Sequence, residues 1–162
     1  MKRRLWLIPL AVLAVFLDAF VFPMLSDNGV RPLCALSLAL AATAATKPQD
    51  GILVALVCGL LTDLFVNPYL GLSAAAYLIA VCILHGFVKK DTAKRLRMLF
   101  GALVATAVAE TVIFGFSLAV GARFDAWKLL RATLPSVVLE TISVLPLAAV
   151  LRTREKDGSY RR

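Results

Sequence analysis

Residues 51–71, GILVALVCGLLTDLFVNPYLG, read as an apolar helix that carries one acid, Asp63, close to its far end. Asn67-Pro68 follows, a strong turn signal. A second apolar run, LGLSAAAYLIAVCILHGFV, then covers residues 70–88, with Gly71 at its opening. The stretch is a tight hairpin of two apolar helices with a carboxylate just before its corner. In a soluble protein Asp63 would be unremarked. Between two long apolar runs, where little water is expected, an acid is costly and therefore informative.

The surrounding chain has the same character. Of its 162 residues 60% are hydrophobic, and the mean hydropathy is +0.85. Soluble domains run nearer about 45–50% apolar. Charged residues make up 17% and bunch between the apolar runs. The expected class is a polytopic all-α membrane protein in one domain. A transmembrane β-barrel needs short alternating strands, and these runs are continuously apolar. The net charge of +8 invites a nucleic-acid reading, but the basic residues flank apolar spans and form no separate basic domain. Topology setting and attraction to anionic lipid account for them instead. Cys34, Cys58 and Cys82 all lie inside apolar runs without C-x-x-C spacing, so they read as buried free thiols and not as metal ligands or disulfides.

Six spans are expected, at residues 5–25, 30–46, 48–66, 70–88, 98–120 and 131–151, followed by a polar, disordered cytoplasmic tail at 152–162. Met1-Lys2-Arg3-Arg4 and the run behind it resemble a signal peptide. That run passes twenty residues, holds Asp18 and lacks a small-x-small cleavage site, so it reads as a retained first span. The second span is the weakest, being short and rich in Ala and Thr. Trp6 and Trp127 sit at span starts, as interface anchors do. With the N-terminus inside, 14 of the 18 Lys and Arg fall on the cytoplasmic side; Arg31, Arg123, Lys128 and Arg131 fall outside. That asymmetry fits both termini inside, whereas five spans with a re-entrant second segment would put one basic end outside. The basic loop VKKDTAKRLR divides four helices from two. Small residues four apart, Ala35-Ala39-Thr43 and Gly101-Ala105-Ala109, suit close helix packing.

Four acids lie within the spans: Asp18, Asp63, Glu110 and Glu140. At about 1.5 Å per helical residue they sit roughly 17–22 Å from the cytoplasmic edge, in one layer from the midplane outward. An isolated mid-bilayer acid costs about 2.5–3.5 kcal/mol on insertion scales, so the four should face the bundle interior. Arg31 and Arg131, at outer span ends, are candidate partners. Thr133, Ser136, Glu140 and Ser143 share one side of the last span, and Thr106, Glu110 and Ser117 one side of the fifth. Such a layer can be an outward-facing cavity, a proton path or a network that fixes packing. No catalytic site, cofactor site or metal site is expected. The single histidine, His85, lies near the inner face, apart from the acids, so no Ser-His or Cys-His set can assemble, and no phosphate-cradling glycine loop is present.

The central hairpin resembles the MreD family of bacterial rod shape-determining proteins. The residues that carry the likeness are Gly59-Leu60-Leu61-Thr62-Asp63-Leu64, Pro68-Tyr69-Leu70-Gly71-Leu72, then Ala75 and Tyr77. Chain length, the basic N-terminus, Arg31-Pro32 before the second span and the small basic tail fit the same layout. The chain departs from the pattern at Leu33-Cys34, where relatives often carry an acid, and Glu110 and Glu140 match no family motif. The resemblance implies a non-enzymatic, multi-pass subunit of the cell-elongation complex in the bacterial inner membrane. Its implied partner is an MreC-like single-span protein. Through that protein it would connect to an MreB-like filament, a SEDS glycosyltransferase and a class B penicillin-binding protein. The implied fold is that of the substrate-binding S component of energy-coupling-factor transporters, which does not by itself carry function. The competing expectations are a small-molecule-binding S component and a proton-coupled carrier using the buried acids. Because Asp63 carries the motif, Asp63→Leu is expected to disturb the protein more than Asp18→Leu.

Overall fold

In a computed structural model of the chain, residues 7–21, 24, 33–46, 48–66, 69–88, 95–120 and 126–160 are described, with the backbone alone for residues 48, 95, 126–132 and 152–160. All regular structure among them is helical. Helix α1 spans Leu7–Phe16 and runs directly into one wide π-turn, Leu17–Val21. It is followed by α2, Cys34–Ala45, α3, Pro48–Phe65, and α4, Leu72–Val88. The last two are α5, Arg95–Ala119, and α6, Ala126–Tyr160. Among the described residues two stretches, Leu96–Ala119 and Thr133–Leu151, are long and apolar enough to cross a membrane, each with mean hydropathy 1.9.

The segment with the weakest apolar signal, α2, is the centre of the molecule. It touches every other helix. Each residue from Ala35 to Ala44 is buried. Around it the order follows the chain: α1 lies on α3, α3 on α4, α4 on α5, and α5 on α6. A helix enclosed on all sides needs a narrow cross-section more than a greasy face, and Ala, Ser and Thr supply one. Its 12 residues rise about 18 Å, well short of the roughly 30 Å of a bilayer's hydrocarbon layer. The second span expected at 30–46 is therefore a shorter, central helix.

Close backbone approach recurs where the small residues fall. Ala35, Ala39, Ala105 and Ala109 are fully buried. A Cβ added at Gly51 would lie 2.8 Å from Thr43 Cα, so α2 and α3 meet almost backbone to backbone. Larger side chains, Leu36, Leu38, Leu40, Tyr77, Leu84 and Leu151 among them, fill the space between the axes. The opposite faces are apolar too: Val12, Leu13 and Phe16 on α1, Leu60 and Leu64 on α3, and Val138 and Ile142 on α6 are exposed.

Two expectations need correction. Helix α6 does not end at residue 151 but continues to Tyr160, so most of the supposedly disordered tail is helical. Arg, Glu and Lys, four of the five residues of Arg152–Lys156, are good helix formers, so their polarity does not argue against a helix. The thiols also differ from one another. All three are free, but only Cys58 is buried; Cys34 is half-buried and Cys82 exposed.

Candidate functional site: carboxylates at buried helix starts

The first N–H groups of a helix have no partner within the helix. Helix α2 begins Leu33-Cys34, and Leu33 offers no side-chain cap. The missing acceptors arrive from two other helices. Asp18 Oδ1 accepts the Cys34 N–H at 2.8 Å, and Oδ2 accepts the Ala35 N–H at 2.8 Å. Glu140 Oε1 accepts the Leu33 N–H at 3.0 Å. The π-turn in α1 contains Asp18; its extra residue re-aims the side chains of that turn relative to a regular helix. Two serines extend the junction between α2 and α6. Ser143 Oγ donates to Ser37 Oγ at 2.8 Å and also lies 2.7 Å from the Glu140 carbonyl. Carboxylates at a helix N-terminus also meet the positive end of its dipole.

The hairpin corner repeats the device. Helix α4 starts Gly71-Leu72, again with no capping side chain of its own. Asp63, near the end of α3, accepts the N–H groups of Gly71 at 2.9 Å, Ser73 at 2.8 Å and Ala74 at 3.2 Å. Gly71 has φ +94°, a left-handed conformation that glycine adopts freely. One turn before Asp63, Gly59 lies against α4 so closely that an added Cβ would sit 2.7 Å from the Ala74 nitrogen. Thr62 donates to the Cys58 carbonyl at 2.8 Å. Tyr77 is fully buried; its hydroxyl, close to Thr62, makes no hydrogen bond of standard geometry among the described residues.

The four acids thus divide. Asp18 (6% exposed), Asp63 (3%) and Glu140 (0%) are buried, while Glu110 is half-buried. Glu110 and Asp18 both act electrostatically on Glu140, so these three form one neighbourhood around the start of α2. Asp63, at the hairpin corner, fastens α4 instead. On the polar faces, Ser136 and Thr106 are buried and Thr133 half-buried. Thr106 Oγ1 and Ser117 Oγ bond to carbonyls of their own helix, at 3.0 and 2.8 Å. Arg31 and Pro68 lie outside the described residues, and of Arg131 only the backbone is described. His85 sits half-buried in the last turn of α4.

Sequence reasoning missed the roles of Cys34, Ser37 and Ser143, and it missed the capping itself. One signal was available: α2 and α4 begin at Leu33-Cys34 and Gly71-Leu72, without Ser, Thr, Asp or Asn there. Such a helix, if buried, must borrow acceptors from elsewhere. At Leu33-Cys34 the carboxylates of Asp18 and Glu140 come in from neighbouring helices.

Among the described residues no group of three His, Cys, Asp or Glu side chains is disposed to hold a metal ion. No family model matches the chain, and no curated protein and no solved structure matches it.

Proposed function

We propose that the chain is a six-span inner-membrane protein of the MreD type, with both termini cytoplasmic and an S-component-like bundle. In this reading it is a non-enzymatic subunit of a bacterial elongation complex. It binds an MreC-like single-span partner and supports cell shape and peptidoglycan synthesis. The observation that carries the reading is the Asp63 corner. Four residues of the motif have distinct physical tasks there. Asp63 holds three N–H groups, Gly59 permits close approach, Gly71 takes the left-handed turn and Tyr77 fills the core.

Membrane residence is supported by how the two longest apolar stretches are exposed. Only 28% of the window in Leu96–Ala119 and 39% of that in Thr133–Leu151 is buried, whereas the core helix of a soluble protein would be mostly covered. Water does not tolerate such faces; lipid does. Helix α6, at 35 residues and about 52 Å, outruns the hydrocarbon layer, so part of it would stand in the aqueous phase. Nearly all described residues lie in the bundle, so any reach to a filament or the wall would pass through a partner.

Reporter fusions test the span count: insertions at residues 92 and 160 should report cytoplasm and one at 125 the outside. Co-purification tests the role. A single-span MreC-like protein should be retained with the full chain, and depletion should round the cells. A stable complex that lacks such a partner would overturn the assignment.

A second reading, a small-molecule-binding S component, draws support from the buried acids around α2. A stoichiometric small ligand in mass spectra of the purified protein would favour it.

A further inference from the structure

Three acids meet around the start of α2, and one of their oxygens is unmatched. Glu140 is fully buried; its Oε1 accepts the Leu33 N–H, but its Oε2 has no hydrogen-bond partner among the described residues. The titratable side chains that act on it electrostatically, among the described residues, are Glu110 and Asp18, both acids. The Tyr77 hydroxyl, beside Thr62 and without a hydrogen bond of standard geometry among the described residues, belongs to the same neighbourhood, since both Asp18 and Glu140 act on it.

The described cationic side chains lie elsewhere. Arg97 is exposed in the first turn of α5, thirteen residues and so about 20 Å along the axis from Glu110. His85 is eight residues and about 12 Å past Tyr77 on α4. A buried carboxyl oxygen facing only acids among the described residues calls for a proton or a cation to match it.

The donor set narrows the kind of charge. Glu140, Glu110, Asp18 and Tyr77 offer oxygen, which suits hard cations and disfavours soft metals. The three acids by themselves form no group disposed to hold a metal ion, so any ion there must also draw on the hydroxyl or on water. An ion of single charge that keeps some of its water matches a site with one free carboxylate oxygen, a second carboxylate and a hydroxyl. Glu110, only half-buried, gives the neighbourhood an edge open to its surroundings.

We propose that the chain binds one alkali cation beside Glu140 Oε2, between α5 and α6 at the start of α2. The inference stands on the acids around α2 and holds whether or not the chain joins an elongation complex.

The test uses purified full-length protein in mild detergent, with sodium chloride or potassium chloride against choline chloride at equal ionic strength. Dicyclohexylcarbodiimide, which attacks buried carboxyls, is the probe, and labelled peptides are read by mass spectrometry. Glu140 should label in choline. At sodium ten times above its dissociation constant, about one site in eleven stays open, so labelling should slow about tenfold. Glu110→Gln should weaken that protection while leaving the label on Glu140. Should Glu140 resist the probe in every salt, a melting temperature that rises with sodium, and less so in Glu110→Gln, supports the site. Equal labelling in sodium, potassium and choline overturns it, as does resistance to the probe with no sodium-dependent melting. If Arg31→Gln exposes Glu140 to the probe without any response to sodium, an arginine of the chain holds that oxygen and the proposal fails.

Discussion

Replacing Asp63 by leucine should loosen the hairpin far more than losing an ordinary surface cap. Its carboxylate accepts three N–H groups, and those of Ser73 and Ala74 are buried. Leucine keeps the forked shape, is bulkier and accepts nothing. A buried donor left without a partner costs about 1–3 kcal/mol, so stranding two costs about 2–6. Removing an exposed N-cap typically costs about 1 kcal/mol. Some recovery through relaxation of the corner is expected, which places Asp63→Leu near 3–4 kcal/mol, inside the two-donor range. Asp63→Asn keeps one acceptor oxygen and turns an NH2 group toward a donor, so it should cost about half as much. Reversible unfolding in mixed micelles of mild detergent and dodecyl sulfate, followed by helicity, gives the comparison. A leucine variant within about 0.5 kcal/mol of the unaltered protein would refute the capping argument, since that is the range of an indifferent surface change.

Other substitutions probe the same construction. Asp18→Leu strands the Cys34 and Ala35 N–H groups, so the same micelle assay should return a loss comparable to Asp63→Leu, although the motif alone ranks Asp63 first. Gly59→Ala drives a Cβ against the backbone of α4, where no side chain can yield. Overpacking of about 1–3 kcal/mol should outweigh the roughly 1 kcal/mol that alanine gains in a helix. Gly86→Ala, with nothing within 4 Å of its added Cβ, should leave stability unchanged or raise it, by up to about 1 kcal/mol. Tyr77→Phe removes a hydroxyl without a standard hydrogen bond and should be nearly neutral in choline, while Tyr77→Ala should cost about 3–5 kcal/mol.

The hairpin was readable because all its signals are local. An apolar run, an acid, Asn-Pro and a glycine fall within twenty-one residues, and each constrains the next. The helical runs were readable for the same reason, through hydropathy. What hydropathy could not rank was α2. Alanine and threonine score low because they bury little surface each, yet that lets five helices approach one axis. Hydropathy therefore called the central helix marginal. Two contacts were beyond any local reading. Asp18 reaches its partners across 16 and 17 residues, and Glu140 reaches Leu33 across 107. Depth counted along each span placed all four acids at one level but said nothing of their direction. Asp63 turned out to serve its own corner, while the other three gather at the start of α2. The π-turn that carries Asp18 left no mark in LDAFV.

The central claim is that acids on one helix hold the opening N–H groups of another, at two separate places. Amide hydrogen exchange read residue by residue tests it most directly. The amides of Cys34, Ala35, Ser73 and Ala74 should all be protected in the unaltered protein. Asp63→Leu should release Ser73 and Ala74 while leaving Cys34 and Ala35 slow. Fast exchange at these four amides in the unaltered protein, or release at both helix starts or at neither in the variant, would contradict the account.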